Sequence, residues 1–197
     1  MEFADVVRRR HMVRSFDGRP VDPSSLERIL DAARRGPSAG FSQGFEFLVL
    51  SGPDETARYW DAVLPAEARD GFAWPGLLRT PVIVVPCTHK QAYLDRYAEV
   101  DKGWTDKDES RWPVPYWLVD TSFAAMVMLL AAVDEGLGAV FFGVGDTEAL
   151  RREFGVLPDY APIGAIAMGH PAADDRPSQS VRRGRRPRDE VVHRGRW

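Results

Sequence analysis

Basic side chains that can bind an anion cluster at two distant places in the sequence. Near the N-terminus, His11 and Met12 lie between Arg10 and Arg14. Near the C-terminus, five arginines flank Pro187: Arg182, Arg183, Arg185, Arg186 and Arg188. A guanidinium group offers several donors in a planar fork that fits phosphate oxygens. Each cluster is therefore a candidate phosphate site, although each is also typical of a solvated basic surface, and the second of a disordered or nucleic-acid-binding tail.

A run of small residues, PSAGFSQG at positions 37–44, separates a predicted helix from a predicted strand. Small side chains let a backbone approach a flat ring closely, and Ser38 and Gln43 can hydrogen-bond to its polar edge. The same residues would also serve as a helix end followed by a turn. The fragment GPSAG matches the nucleophile elbow of serine hydrolases only formally, because that elbow has a strand before the serine and a helix after it. The loop therefore predicts a ring- or anion-binding site.

Other signatures of ligand binding are absent from the sequence. No complete G-x-G-x-x-G follows a strand and no G-x-x-x-x-G-K-[ST] occurs, so neither a dinucleotide-binding domain nor a P-loop is expected. The four histidines and Cys87 show none of the usual metal-ligand spacings, and no metal is expected. Cys87 is expected to pack in a strand as a small apolar residue.

The composition predicts one compact domain without a nucleic-acid or membrane partner. The chain has 197 residues, 44% of them hydrophobic, a net charge of -3 and a pI near 5.8. A single cysteine and the lack of an apolar N-terminal stretch favour the cytoplasm. The longest apolar run, 123–133, is shorter than the roughly 20 residues that cross a bilayer. This run is expected to be a buried helix that begins near Asp120.

Helices and strands are predicted to alternate without strict βαβ order, which indicates the α+β class. Asp22, Pro23 and Gly36 mark the start and end of one helix. PVIVVPCT is apolar on both faces and should be a central strand. The other predicted elements are a helix in ETARYWDAVLPAEARDG interrupted at Pro65, a capped helix in DTEALRREFG, strands in FEFLVLSG, AVFFGVGD and PIGAIAMGH, and a short strand in EVVHRGRW.

Residues 93–116 mix aromatic, charged and proline residues without a clear period. Irregular segments of this length are usually functional or disordered, so we expect an excursion or lid. Its aromatic side chains are candidates for a substrate wall, with simple packing or a dimer contact as the alternative: Tyr97, Trp104, Trp112 and Tyr116.

Together these segments resemble the nitroreductase-like family of FMN-dependent oxidoreductases over almost the whole chain. The similarity is carried, in order, by VRRRHMVRSF, AARRGPSAGFSQGFEFLVL, YWLVDTSFAAMVMLLAAVDEGLGAVFFGVGD, AIAMGHP and RRGRRPRDEVVHRGRW. It implies an α+β nitroreductase-like fold, with a central, mainly antiparallel sheet flanked by helices. It also implies an interlocked homodimer with the long apolar helix at the interface and two FMN sites, each built from both chains.

The resemblance also implies which residues contact FMN. Those near the phosphate and ribityl chain would be Arg10, His11 and Met12. Arg14 would lie near the N1 and C2 edge, where a positive charge stabilises the anionic reduced flavin. The loop under the ring would be Pro37, Ser38, Ala39, Gly40 and Phe41, with Gln43 just beyond it. The strand end whose backbone N–H groups face N5 and O4 would be Phe142, Gly143, Val144 and Gly145. The pair that closes on the phosphate would be Arg183 and Arg185.

The sequence departs from the family pattern at several of these positions. Met12 stands where serine is common, Phe41 where asparagine is common, and Gly44-Phe45 where proline-tryptophan is common. Each change removes a polar or shape-setting contact to the flavin. WPGLLRT also lacks the asparagine and lysine that some members place on the pyrimidine edge. FMN binding is still expected, with altered ring contacts.

The chemistry that the resemblance implies belongs to the flavin. A hydride would pass from NADH or NADPH to flavin N5, and the electrons would then go to a small flat acceptor such as a nitroaromatic or a quinone, in ping-pong order and without a protein acid or base. The alternatives are a flavin-dependent dehydrogenase, oxidase or dehalogenase, a deazaflavin-linked enzyme, a non-enzymatic flavin store or redox sensor, and an arginine-tail nucleic-acid binder.

Overall fold

The helices begin and end where the local residue types require it. The Asp22 carboxylate accepts the N–H of Ser24 at 3.1 Å, and that of Asp146 accepts the N–H of Ala149 at 2.8 Å, as N-cap acids do. Gly155 ends its helix at a left-handed φ of 67°. The computed structural model describes all 197 residues, and its α-helices are α1 (Phe3–Arg9), α2 (Pro23–Ala33), α3 (Pro53–Val63), α4 (Ala66–Arg69), α5 (Lys90–Ala98), α6 (Tyr116–Asp134) and α7 (Thr147–Phe154).

Five strands form one antiparallel sheet, which confirms the predicted α+β class. The strands are β1 (Phe45–Ser51), β2 (Val82–His89), β3 (Gly138–Phe142), β4 (Tyr160–Pro162) and β5 (Ala165–Gly169). Their order is β1–β2–β5–β3, and β4 pairs with the end of β2. The central position predicted for β2 is confirmed, and its residues are buried from Val82 to Thr88. The short strand β4 was not predicted, because three residues ending in proline carry no periodic signal.

The strand register brings two loops of interest to the same end of the sheet. Phe45 at the start of β1 pairs with Thr88 at the end of β2, whereas Phe142 at the end of β3 pairs with Ala165 at the start of β5. Because all the strands are antiparallel, the loop before β1 and the loop after β3 leave the sheet at one end. They lie at opposite edges, three strand spacings or about 14 Å apart.

The core lies on both faces of the sheet. Alternate residues of β2 point to opposite sides: Ile83, Val85 and Cys87 pack with α3 and α7, while Val82 and Val84 pack with α2 and α6. Cys87 is 4% exposed, and burial raises the pKa of its thiol to about 11. The prediction that Cys87 packs as a small apolar residue is therefore confirmed, since the thiol stays protonated at neutral pH.

Helix α6 is half buried within the chain. It begins at Tyr116, four residues before the predicted start, directly after Pro115, which occupies the N-cap position without a side-chain capping bond. By length and composition it is the one helix that could cross a membrane, but half of its most apolar window is buried against the rest of the chain. Within a single chain the predicted burial of this helix is only partial, because an apolar stripe remains 40–46% exposed: Leu118, Phe123 and Met126.

Two other segments differ from the sequence predictions. Helix α5 takes up residues 93–98 of the aromatic excursion, because Tyr93 and Leu94 bury one face of an amphipathic turn. The short strand predicted in EVVHRGRW is not formed; the tail makes a single turn at Arg188–Glu190 and is exposed from there on. A strand needs a neighbouring strand for its N–H and C=O groups, and this chain offers none to the tail.

The ion pair between α2 and the end of α6 gives the fold a pH dependence. Arg28 donates two hydrogen bonds to Glu135, at 2.8 and 2.6 Å, and lowers the pKa of Glu135 from 4.5 to about 2. A carboxyl whose pKa is lowered by folding adds stability above its ordinary pKa and loses it as the pH falls through the lowered value. The Glu135→Gln variant should therefore have a lower melting temperature than the parent at pH 6.

The difference in melting temperature should narrow between pH 4.5 and pH 3, because the unfolded carboxyl then takes up a proton and the advantage of the folded state declines. Thermal unfolding followed by circular dichroism at pH 6, 4.5 and 3 measures this. A matched control is Glu67→Gln, since Glu67 forms no ion pair with the chain. A difference that stays constant with pH would show that the pair does not act through this titration.

Candidate functional site

The N-terminal basic segment runs beside β3. Met12 forms an isolated parallel bridge with Ala139, and the N–H of Val13 donates to the carbonyl of Ala139 at 3.1 Å. The Met12 side chain is partly buried and packs against both core clusters, and its contact with the cofactor stays a prediction. Arg10 caps the end of α1 through its backbone and its guanidinium group makes no ion pair. The segment therefore offers Arg10, His11 and its own backbone to an incoming anion.

Arg14 is held by the root of the C-terminal arm. The Asp175 carboxylate accepts the backbone N–H groups of Arg14 and Ser15, at 2.8 and 3.0 Å. Asp174 accepts the hydroxyl of Ser15 at 2.5 Å. The guanidinium carbon of Arg14 lies 5.0 Å from the ring centroid of Trp74, a cation–π distance. The Arg14 side chain is thus oriented over an aromatic face while most of its N–H donors remain available.

Two clefts meet at Trp74. The first has a volume of about 240 Å³ and is bounded by Arg14, Trp74 and Asp175. The second, of about 800 Å³, follows the arm from Trp74 to Arg182. Both clefts are open to solvent and include Arg176. In the first cleft Asp174 and Asp175 balance the two arginines, whereas Arg176 and Arg182 make the second cleft positive. The second cleft therefore suits an anionic ligand better than the first.

The end of β3 presents free backbone donors. The N–H groups of Gly143, Val144 and Gly145 have no acceptor within the chain. Nothing lies within 4 Å of the position that a Cβ on Gly143 would take, so this backbone is open to a ligand. Phe142 turns its ring inward and stacks on Trp60, with centroids 5.7 Å apart. Three adjacent, unpaired N–H groups fit the O4 and N5 edge of a flavin ring, which carries acceptors.

A buried carboxylate holds the loop at 37–44. Asp120 of α6 is 3% exposed and accepts the N–H of Ala39 at 2.8 Å and the hydroxyl of Tyr93 at 2.9 Å. Burial, together with the hydrogen bond to Asp120, raises the pKa of Tyr93 well above its ordinary value, so its hydroxyl remains a donor. Arg96 donates to the carbonyl of Gly40 at 2.9 Å. Hydrogen bonds from α5 and α6 therefore fix the backbone of the loop.

The loop backbone is strained. Gly40, Phe41 and Gln43 have φ angles of 60°, 56° and 51°. The left-handed conformation is adopted readily by glycine, but in a residue with a Cβ it costs of order 1 kcal/mol or more. Gln43 donates its N–H to the Ser38 hydroxyl at 3.0 Å, which helps to retain this shape. Such strain persists only where the surroundings impose it, and it is common at functional sites.

The candidate substrate residues lie together under this loop. The ring centroid of Tyr97 is 4.9 Å from that of Trp104 and 4.5 Å from that of Trp112, and Trp112 is 5.8 Å from Tyr116. A Cβ on Gly40 would collide with Tyr97 at 2.6 Å. These four side chains thus form one packed cluster that supports the loop. Whether they also contact a substrate stays a prediction.

One chain does not assemble all of the predicted contacts. No hydrogen bond or ion pair joins the loop 37–44 to the Arg10–Arg14 segment or to Gly143–Gly145. Arg183 and Arg185 are exposed and unpaired, whereas Arg186 binds Glu190 at 3.2 Å within the arm. The sequence analysis also missed two anchoring acids, Asp120 and Asp175. A lone acid at the head of an apolar helix was the only available signal for Asp120, and nothing local marked Asp175.

Removal of the Asp120 carboxylate should destabilise the fold. In Asp120→Ala the N–H of the partly buried Ala39 and the hydroxyl of the fully buried Tyr93 lose their acceptor, and a buried group left unsatisfied costs about 1–3 kcal/mol. Asp120→Asn keeps an acceptor oxygen at the same place and should retain most of the stability. Urea unfolding of both variants measures the difference. Equal stability of the alanine and asparagine variants would show that these hydrogen bonds do not hold the loop.

Comparison with known proteins agrees with the geometry. The chain is 28% identical to a Methanothermobacter thermautotrophicus protein named provisionally as an NADH dehydrogenase/NAD(P)H nitroreductase, over 87% of this chain and 78% of that protein. It is 24% identical to an NADPH-dependent oxidoreductase of Staphylococcus aureus, over 98% of this chain and 73% of that protein.

Structural comparison supports the same fold. A Staphylococcus epidermidis structure described provisionally as an NAD(P)H:FMN oxidoreductase superposes with a TM-score of 0.70 at 20% identity, covering 98% of this chain and 95% of that one. A family model described as "Nitroreductase family" matches residues 7–170. The chain belongs to the nitroreductase family.

Proposed function

We propose that this protein is an FMN-dependent oxidoreductase that takes a hydride from NADPH or NADH and passes electrons to a small flat acceptor. The observation that carries the proposal is the set of three unpaired backbone N–H groups at Gly143–Gly145. An exposed run of free donors at a glycine-rich strand end is suited to the polar edge of a planar ring. Family membership and the names of the oxidoreductases it resembles support the same activity.

The charged residues fit the two ends of FMN. The phosphate would be held by Arg10 and His11 together with Arg183 and Arg185 of the arm. Each guanidinium group can donate two parallel hydrogen bonds to phosphate oxygens. Arg14 would face the pyrimidine edge, where its charge favours electron-rich states of the ring. When bound, FMN supplies hydride acceptance at N5 and electron transfer to the acceptor. The chain itself would bind FMN, orient it and leave one face of its ring open.

A homodimer is part of this proposal. The exposed stripe on α6 continues with exposed apolar residues of α1, Phe3 at 71% and Val7 at 46%. An apolar surface of this kind is typical of a subunit interface. The loop 37–44 and the strand end at Gly143–Gly145 lie at opposite edges of the sheet, so a second chain related by two-fold symmetry would bring one of each to a shared site. The C-terminal arm, which finds no partner strand within its own chain, would extend onto the second subunit.

The first test is the absorbance spectrum of the purified protein under anaerobic conditions. We expect a flavin absorbance band at about 450 nm that bleaches when NADPH or NADH is added, because hydride transfer reduces the ring. A band that persists with both nucleotides would identify a flavin-binding protein with another reductant, such as a deazaflavin, or with no enzymatic activity. A colourless protein that does not take up added FMN would overturn the proposal.

The second test removes Arg183 and Arg185, two of the arm's unpaired arginines. Arg183→Ala combined with Arg185→Ala should weaken FMN binding by about 100-fold or more, since each hydrogen bond to a charged group contributes about 1.5–3 kcal/mol. The flavin retained after dialysis measures this, and circular dichroism should show an intact fold. The matched control is Arg186→Ala combined with Arg188→Ala, which should retain flavin. Equal occupancy in both double variants would exclude Arg183 and Arg185 from the phosphate site.

A further inference from the structure

Phe41 combines two unfavourable features. Its side chain is 75% exposed, although phenylalanine is usually buried, and its backbone has a left-handed φ of 56°. Glycine or asparagine would meet the backbone requirement with less strain, and a polar residue would meet the solvent with less cost. Neither feature helps the chain to fold. Exposure and backbone strain at one residue therefore point to a role for Phe41 outside the stability of its own chain.

Neighbouring groups fix the backbone that carries the Phe41 ring. On one side of Phe41, Asp120 holds the N–H of Ala39, and Arg96 holds the carbonyl of Gly40. The N–H of Phe41 itself donates to the carbonyl of Ser38 at 2.9 Å. The ring of Tyr97 fills the space beside Gly40, so the backbone cannot relax toward α5. The left-handed turn at Phe41 is imposed by groups from α5 and α6 together.

The neighbouring aromatic side chains already pack against one another. Tyr97, Trp104 and Trp112 pack against one another with centroids 4.5–5.5 Å apart and are only partly exposed. They have little free ring face to offer a ligand. Phe41 follows Gly40, which lies against Tyr97, and it is the aromatic residue of the loop whose ring is exposed. The cluster supports the loop, and the loop presents Phe41.

We propose that Phe41 is a specificity-determining residue whose ring stacks on a flat aromatic acceptor at the active site. This proposal rests on the proposed function and names the group that selects the acceptor. Stacking of two rings favours planar molecules over compact ones, in addition to the apolar area that it buries. A contact with a second subunit is the competing explanation, but Leu118, Phe123 and Met126 provide apolar contacts from unstrained helical backbone.

The test compares Phe41→Gly with Phe41→Tyr, and uses Lys107→Gly as the matched control. Lys107 is another exposed residue with a left-handed φ, 52°, and it is not among the predicted contact residues, although it lies in the 93–116 segment and its Nζ donates to Asp95 at 2.6 Å. Initial rates are measured with NADPH, with 1,4-naphthoquinone as the flat acceptor and ferricyanide as the compact one. All rates are divided by the flavin bound to each variant. Melting temperature and dimer mass by analytical ultracentrifugation are measured on the same samples.

Phe41→Gly should lower the ratio of kcat/KM for naphthoquinone to kcat/KM for ferricyanide by about tenfold, mainly through KM, because a stacking face is lost. Its melting temperature should rise by about 2 °C, because glycine relieves the strain. Phe41→Tyr should keep the parent ratio. Lys107→Gly, which removes the same kind of backbone strain together with the ion pair to Asp95, should leave the ratio unchanged.

Other results would overturn the proposal. An unchanged ratio in Phe41→Gly would show that the ring does not meet the acceptor. A lower melting temperature together with dissociation of the dimer would make Phe41 a subunit contact. If the parent protein turns over neither acceptor, the proposed function fails separately. Calorimetric titration with 4-nitrobenzoate then decides on Phe41: tighter binding by the parent than by Phe41→Gly supports the stacking role, and equal or absent binding contradicts it.

Discussion

The buried carboxylate of Asp120 is the interaction on which the candidate site depends. It lies in the first turns of α6 and binds the loop through Ala39 and α5 through Tyr93. A carboxylate is costly to bury unless hydrogen bonds compensate it, so these two donors are required as much as the acid itself. This one group therefore fixes the positions of α6, the aromatic cluster and the strained loop relative to one another.

The same helix links the site to assembly. One face of α6 packs against α2 and the sheet, and the opposite face carries an uncovered apolar stripe. If a second chain covers that stripe, the loop anchored by Asp120 is brought to the interface as well. Binding of the cofactor and association of subunits would then stabilise each other, because each orders surfaces that the other uses. The polar arm, exposed along almost its whole length, fits the same dependence on a second chain.

The sequence was most informative where the structure depends on residues that are close together in the sequence. Asp22, Asp146 and Gly155 cap helices as predicted, because capping involves contacts within a few residues. The buried strand β2 was equally clear from its apolar run. The strand predicted in the tail was wrong, since pairing needs a partner that no local pattern reveals. The position of Arg14 beside Asp175 also had no local signal, because 161 residues separate the two.

The bonds from Asp175 to Arg14 and Ser15 have a consequence for how the protein is made. The N-terminal basic segment is synthesised well before Asp175, which follows Arg14 by 161 residues. Until residues 172–175 have left the ribosome, the N–H groups of Arg14 and Ser15 lack their acceptor and the cleft at Trp74 lacks one wall. Contacts between distant parts of a chain form late in folding. The cleft at Trp74 is therefore completed only after β5 has been synthesised, because residues 172–175 follow that strand in the chain.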